Sequence, residues 1–175
     1  MKVICISGYA SAGKDTFANC LKNIFDKQGK KTLIVHYADY LKFICKAYFG
    51  WDGEKDNKGR TLLQHIGTDV ARARRPTIWV EVVKIFIDVF GSDYDYILIP
   101  DTRFSQEIDL CKEEYDTTSI RIHRPNFDNG LTEEQKLHPS ETSLDNYSFD
   151  ITINCPSGIK NVQEYAEMIV AEGLV

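Results

Sequence analysis

The sequence predicts a three-layer α/β fold in which a five-stranded parallel sheet lies between two layers of helices. Three observations lead there. Short apolar runs rich in β-branched residues recur five times along the chain. Helical periodicity separates most of them. The first three runs are apolar nearly throughout, as strands covered on both faces require. Strands alternating with helices pair in parallel through crossovers, and 175 residues suit a single domain.

The runs fall at residues 3–6, 32–35, 96–99, 119–122 and 151–153. After the first, Phe17, Cys20, Leu21, Ile24 and Phe25 take the i, i+3, i+4, i+7, i+8 positions of an apolar helix face. Val162, Tyr165, Ala166, Ile169 and Val170 repeat that spacing in the last helix. A helix is also expected after Pro76, with Val82, Val83 and Phe86 in the core and Trp79 either in the core or on a substrate pocket. Residues 39–80 read as helical with a polar interruption at 51–59, which leaves room for a substrate-binding insertion. Residues 125–146 are polar, contain two prolines and have little apolar periodicity. Such a stretch reads as a long loop or short lid. The core is then 1–38, 81–124 and 147–175.

Composition narrows the function. With 43% hydrophobic residues the chain is not disordered. A net charge of -5 with dispersed lysines and arginines gives no stripe for a nucleic-acid backbone. The N-terminal apolar run is too short for a signal peptide and no stretch approaches a membrane span, so a cytoplasmic protein without membrane partners is expected. Cys5, Cys20, Cys45, Cys111 and Cys155 are odd in number and never form Cys-x-x-Cys, which fits reduced thiols. His36, His65, His123 and His138 lack metal-ligand spacing, so no structural metal is expected.

The strongest signal is Gly8-Tyr9-Ala10-Ser11-Ala12-Gly13-Lys14-Asp15-Thr16, between the first strand and its helix. A chain wrapped around a polyphosphate needs glycine at Gly8 and Gly13, where a Cβ would block the backbone path or the anion. The N–H groups of Ser11, Ala12 and Gly13 then face the anion. The helix start adds unpaired N–H groups, and the Lys14 ammonium would bridge the β- and γ-phosphates of ATP. Thr16 would contact a phosphate. Asp15 stands where such loops usually carry a hydroxyl for magnesium; as a carboxylate it either binds Mg2+, directly or through water, or caps the helix. The spacing is that of a P-loop nucleotide-binding fold.

Further candidates lie at the carboxyl edge of the sheet, where open α/β sheets bind ligands. Asp39 and Lys42 follow the second strand. Arg60, Gln64, Asp69 and Arg72 share one helical stretch in which arginines suit a phosphate and Gln64 a base edge. Asp101 ends the third strand, a position that orients magnesium or its waters. Arg103 and Arg124 are expected to balance charge on the transferring group, Arg124 at the lid hinge with Lys136 or His138.

From the loop onward the chain resembles the phage-type deoxynucleoside monophosphate kinases, and more distantly the animal phosphomevalonate kinases. The landmarks are Gly13-Lys14-Asp15-Thr16, Ala38-Asp39-Tyr40-Leu41-Lys42, Arg60-Thr61-Leu62-Leu63-Gln64, Gly67-Thr68-Asp69 with Arg72, Trp79-Val80, Asp101-Thr102-Arg103-Phe104, and His138-Pro139-Ser140-Glu141 before Leu144-Asp145-Asn146-Tyr147. Gly-Lys-Asp belongs to that pattern, whereas Tyr40 stands where proline is common. The resemblance implies ATP-dependent phosphorylation of a nucleoside monophosphate, with Mg2+. Kinase action on a phosphomevalonate-like metabolite and ATP binding without catalysis are the competing expectations. The accepted base and sugar, and whether the chain forms a homodimer, are left open.

Overall fold

A computed structural model describes residues 1–125 and 127–175; residue 126, inside the expected lid, lies outside the described residues. Its five strands are β1 (Lys2–Ser7), β2 (Thr32–Ile34), β3 (Tyr96–Thr102), β4 (Asp116–His123) and β5 (Ile151–Asn154). They form one sheet in the order β2-β3-β1-β4-β5, and every pairing is parallel. The expected fold class is the observed one.

Alternation along β1 divides the interior in two. Val3 and Cys5, with Ile97 and Ile99 of β3, face a core shared with helices α2 (Ala38–Tyr48), α4 (Ile78–Phe90) and α5 (Ser105–Glu114). Ile4 and Ile6, with Leu98, Ile120 and Ile153, face α1 (Lys14–Lys27) and α8 (Ile159–Ala171). Period-two side-chain placement sends neighbouring apolar residues into opposite layers, which is why residues 3–6 are all apolar.

This layering places the site. The chain leaves β1 toward α1 on one face, whereas it leaves the adjacent β3 toward α5 on the other. Neighbouring loops that diverge in this way open a crevice at the carboxyl edge of the sheet. Pairing between β1 and β3 shifts register between Cys5 and Ser7, just below the crevice.

Residues 39–80 form most of α2, then α3 (Asn57–Gln64), which runs without a break into a π-helical turn at His65–Arg72. Trp51, inside the expected polar interruption, is buried and donates its indole N–H to Glu54 O at 2.9 Å. In α4 the buried positions are Trp79, Val80, Val83 and Ile87, and Phe86 is exposed, so the expected core stripe is rotated. The stretch 125–146, expected to be a loop or lid, contains two short helices, α6 (Glu133–Leu137) and α7 (Pro139–Thr142). A capping box at Thr132 and Gln135 starts α6, and Pro139 at the first position of α7 follows the His138 cap. Among the described residues no helix is long and apolar enough to cross a membrane.

Candidate active site

The turn after β1 is held open by its backbone. Gly8 has φ 154°, and a Cβ there would lie 2.6 Å from the carbonyl oxygen of Ile122. Gly13, at φ 95°, begins α1, and among the described residues no side chain caps that helix. Its first N–H groups are therefore left for an anion. Ser11 takes a left-handed φ of 59°, uncommon without glycine and frequent at ligand-holding turns. Lys14 folds back beneath the turn, where Nζ donates to Gly8 O at 2.8 Å and Tyr9 O at 2.9 Å. Burial, reinforced by nearby Arg103, pulls its pKa down from 10.5 to about 7, against the opposing pull of Glu141, Asp15 and Asp101.

Asp15 lies at the rim with its side chain 72% exposed. Its Oδ1 is 2.9 Å from His36 Nε2, and no cap hydrogen bond to the helix is made. The His36 contact depresses the Asp15 pKa and raises that of His36. Sequence reasoning passed over His36, although it directly follows the second strand, at the ligand-binding edge. Asp101, in β3, accepts the N–H of Tyr37 and of Ala38, both at 2.9 Å, one on each carboxylate oxygen. It thereby fixes the start of α2, and each oxygen keeps a lone pair. Among the described residues no group of three or more His, Cys, Asp or Glu could hold a metal ion. A magnesium ion needs only one or two protein carboxylates when phosphate oxygens and water complete its shell, so Asp15 and Asp101 fit such an ion.

A cleft of about 510 Å³ runs from this loop to α3 and the π-helical turn. Lys14, Asp15, Lys42, Arg60 and Gln64 all line it, and Lys42 is linked to Asp15 through Asp39 and His36. Gln64, Thr68 and Arg72, four residues apart and so on nearly one helix face, all line the cleft. Trp79 also lines the cleft, but it is buried and its indole N–H is taken by Gly67 O at 2.9 Å. Lys42 donates to Asp39 at 2.8 Å, and Arg60 Nε donates to Lys55 O at 2.9 Å.

Two arginines of the cleft are held by buried carboxylates. Arg72 stacks on the Phe104 ring at 4.1 Å and pairs with Glu107. Glu107, at the start of α5, also accepts the backbone N–H groups of Arg103 (2.6 Å) and Phe104 (3.1 Å). Burial pushes its carboxyl pKa up, while Arg72 and the two N–H groups pull it back. Arg103 donates to Ser140 O at 2.7 Å and pairs with Glu141, whose other oxygen accepts the Ala10 N–H at 2.9 Å. Glu107 carried no signal in the sequence beyond its place in the first turn of a helix.

Other candidates stand outside the cleft. Asp39 pairs with Lys42 and His36. Asp69 pairs with His65 and with His138 of the 125–146 segment. Arg124 bonds Ser11 O at 3.1 Å and Ser157 Oγ at 3.2 Å and stacks on Phe127. It thereby ties the Gly8–Thr16 loop to Ser157. Lys136 pairs with Glu133 on its own helix. Thr16 is half-buried on the first turn of α1.

A family model described as deoxynucleotide monophosphate kinase matches residues 22–165, most of the chain. The chain belongs to the deoxynucleotide monophosphate kinase family. The matched residues begin after the Gly8–Thr16 loop and take in Lys42, Arg60, Gln64, Arg72, Arg103 and the 125–146 segment. The deoxynucleotide monophosphate kinase of Enterobacteria phage T4 is 30% identical over 105 residues. That alignment takes in 58% of this chain and 41% of the phage protein, so the chain spans under half of its relative. Solved structures agree on the fold alone. The APS kinase CysC of Mycobacterium tuberculosis, in complex with AMPPNP and APS, has a TM-score of 0.53 at 10% identity, covering 99% of this chain and 98% of that one. Shikimate kinase from Aquifex aeolicus gives 0.53 at 13% identity over 99% and 98%. Shikimate kinase from Acinetobacter baumannii, with shikimate, gives 0.52 at 14% over 99% and 92%. This chain thus shares its overall fold with these enzymes.

Proposed function

We propose that this chain transfers the γ-phosphoryl group of ATP to a deoxynucleoside monophosphate, giving ADP and the deoxynucleoside diphosphate. The observation that carries the reading is the single cleft joining the Lys14 loop to Arg72 and Gln64, with Arg103 between them, in a member of the deoxynucleotide monophosphate kinase family. Phosphoryl transfer asks for two anions held in line, water excluded and the migrating charge balanced. Each requirement has a residue.

In this reading the loop from Gly8 to Thr16 binds the ATP phosphates, and Lys14 meets the phosphate being transferred. Asp15 would hold magnesium, with Asp101 acting on the ion's waters; when bound, the ion supplies charge neutralisation between donor phosphates. Arg72 and Arg60 receive the acceptor phosphate. Arg103 faces the transferring group, while Gln64 and Trp79 border the base and sugar. Arg124 keeps the loop in shape instead of touching the transferred group, and Asp39 does the same for Lys42. Segment 39–80 serves as the monophosphate-binding insertion and 125–146 as the lid, on a core of 1–38, 81–124 and 147–175.

The test is ADP release, measured by a coupled assay, across all deoxy- and ribonucleoside monophosphates with phosphomevalonate included. Turnover is expected with at least one deoxynucleoside monophosphate. Activity confined to phosphomevalonate would overturn the substrate class, and nucleotide binding without turnover on any acceptor would overturn the kinase.

A further inference from the structure

The lid carries a buried carboxylate into the phosphate loop. Glu141 comes from α7, a four-residue helix, and its side chain is 5% exposed. One oxygen accepts the N–H of Ala10, inside the loop, at 2.9 Å. The other pairs with Arg103 Nη1, the same nitrogen that donates to Ser140 O. One nitrogen of the fork is therefore fastened twice, while no bond among the described residues engages Nε or Nη2. A guanidinium held by one prong in this way keeps its remaining donors aimed at a second anion.

The lid has other means of attachment. Leu144 is buried in the core, Gln135 donates to Asn57 O and Thr61 Oγ1 of α3, and His138 pairs with Asp69. A carboxylate is not needed there for adhesion, and burying one is unfavourable unless it is paired. Its placement also matters for charge. Arg103 and Lys14 are close enough for Arg103 to depress the Lys14 pKa, and Glu141 acts on Lys14 in the opposite direction. The anion lets two cations share one small volume before any phosphate arrives.

We propose that Glu141 is a positioning residue for phosphoryl transfer, fastening the Arg103 guanidinium between the phosphate loop and the lid. The proposal rests on the reading of Arg103 as a contact of the transferring group. Because the carboxylate bonds a loop N–H at the same time, Arg103 reaches its working position only when the lid is seated on the loop. Lid closure and charge balance are then one event.

The experiment is a double-mutant cycle on turnover at saturating ATP and acceptor, with Glu141→Gln, Arg103→Ala and the double variant. Glu141→Gln conserves shape, and thermal unfolding of each variant verifies the fold. Glu141→Gln is expected to lower kcat by roughly 10²-fold, the effect of misplacing a reacting partner by about an ångström. Arg103→Ala is expected to lower it by about 10² to 10³, and the double variant by little more than Arg103→Ala alone, since groups acting as one unit do not add. Affinity for a non-hydrolysable ATP analogue, read by calorimetry, should stay within about threefold in Glu141→Gln, a change of less than 1 kcal/mol. Four results would overturn the proposal: near-normal kcat in Glu141→Gln, multiplicative losses in the double variant, a large gain in analogue affinity marking Glu141 as a competitor of the phosphate, or loss of the fold in every Glu141 variant. Normal turnover in Arg103→Ala would instead remove the underlying reading of Arg103, a distinguishable failure.

Discussion

Lys14 shows at the scale of one residue how the site is prepared. Its ammonium lies under the loop among carbonyl groups, and burial makes the neutral form competitive near neutral pH, with a pKa of about 7. A bound polyphosphate would raise that pKa again by adding opposite charge. The sign follows directly: at about pH 8 the free site is mostly neutral, so binding ATP takes up a proton, and affinity falls as pH climbs above about 7. At about pH 6 the group is charged both free and bound, and little uptake remains. Calorimetry with an ATP analogue in two buffers of different ionisation heat should find an uptake approaching one proton at pH 8 that largely disappears at pH 6. Lys14→Ala should lose that uptake and lower turnover by roughly two powers of ten or more; undiminished uptake in the variant would assign the proton to another group. Lys14, Gly8 and Gly13 were legible in the sequence because backbone conformation and anion binding restrict the residue types allowed there. Glu141 was legible only as part of a motif. Its partner Ala10 is 131 residues away along the chain, and no local pattern records such a pairing.

At the scale of the element, the short helices of residues 125–146 are seated on α3. Gln135 is buried in α6, its Oε1 accepts the Thr132 N–H, and its Nε2 donates to Asn57 O and Thr61 Oγ1, all at 3.2 Å. One side chain thus both starts α6 and ties it to α3, the wall that carries Arg60 and Gln64. Gln135→Ala removes these bonds at about 1 kcal/mol each, and the acceptor KM should rise by roughly tenfold while the KM for ATP hardly moves. Steady-state kinetics with each substrate varied in turn decides it; equal changes in both would mean the lid is not anchored on the acceptor side. The sequence showed the strands and the first and last helices well, because an apolar run or stripe beside polar residues has an unambiguous period. It misplaced the buried face of α4 because residues 78–90 are apolar nearly all round, so a stripe through Val82 and Phe86 and one through Val83 and Ile87 fit the period equally. The π-helical turn was hidden for another reason. Its i→i+5 spacing matches neither template, and it holds where Trp79 donates to Gly67 O and Arg72 reaches Glu107, tertiary contacts that override local preference.

The whole molecule separates a layer that supports the site from one that supports mainly the sheet. The core formed with α2, α4 and α5 continues into the cleft wall through Leu41 and Trp79. The core under α1 and α8 meets the site at the Gly8–Thr16 loop, where Ile122 lies against Gly8 and Val162 near Gly13. Ile169, fully buried on α8, belongs to this second layer and lies far along its helix from the loop. Truncating it to alanine should therefore destabilise the fold by about 2–5 kcal/mol and leave kcat and both KM values unchanged wherever the variant stays folded. Leu41→Ala, in the first layer, should lower stability through the cavity it leaves and also raise the acceptor KM, since the same side chain packs in the core and borders the cleft. Denaturant unfolding followed by kinetics on the folded variants separates the two outcomes. If Ile169→Ala shifted the acceptor KM as much as Leu41→Ala, the sheet would not insulate one layer from the other, and the cleft could not be treated as the property of a single face.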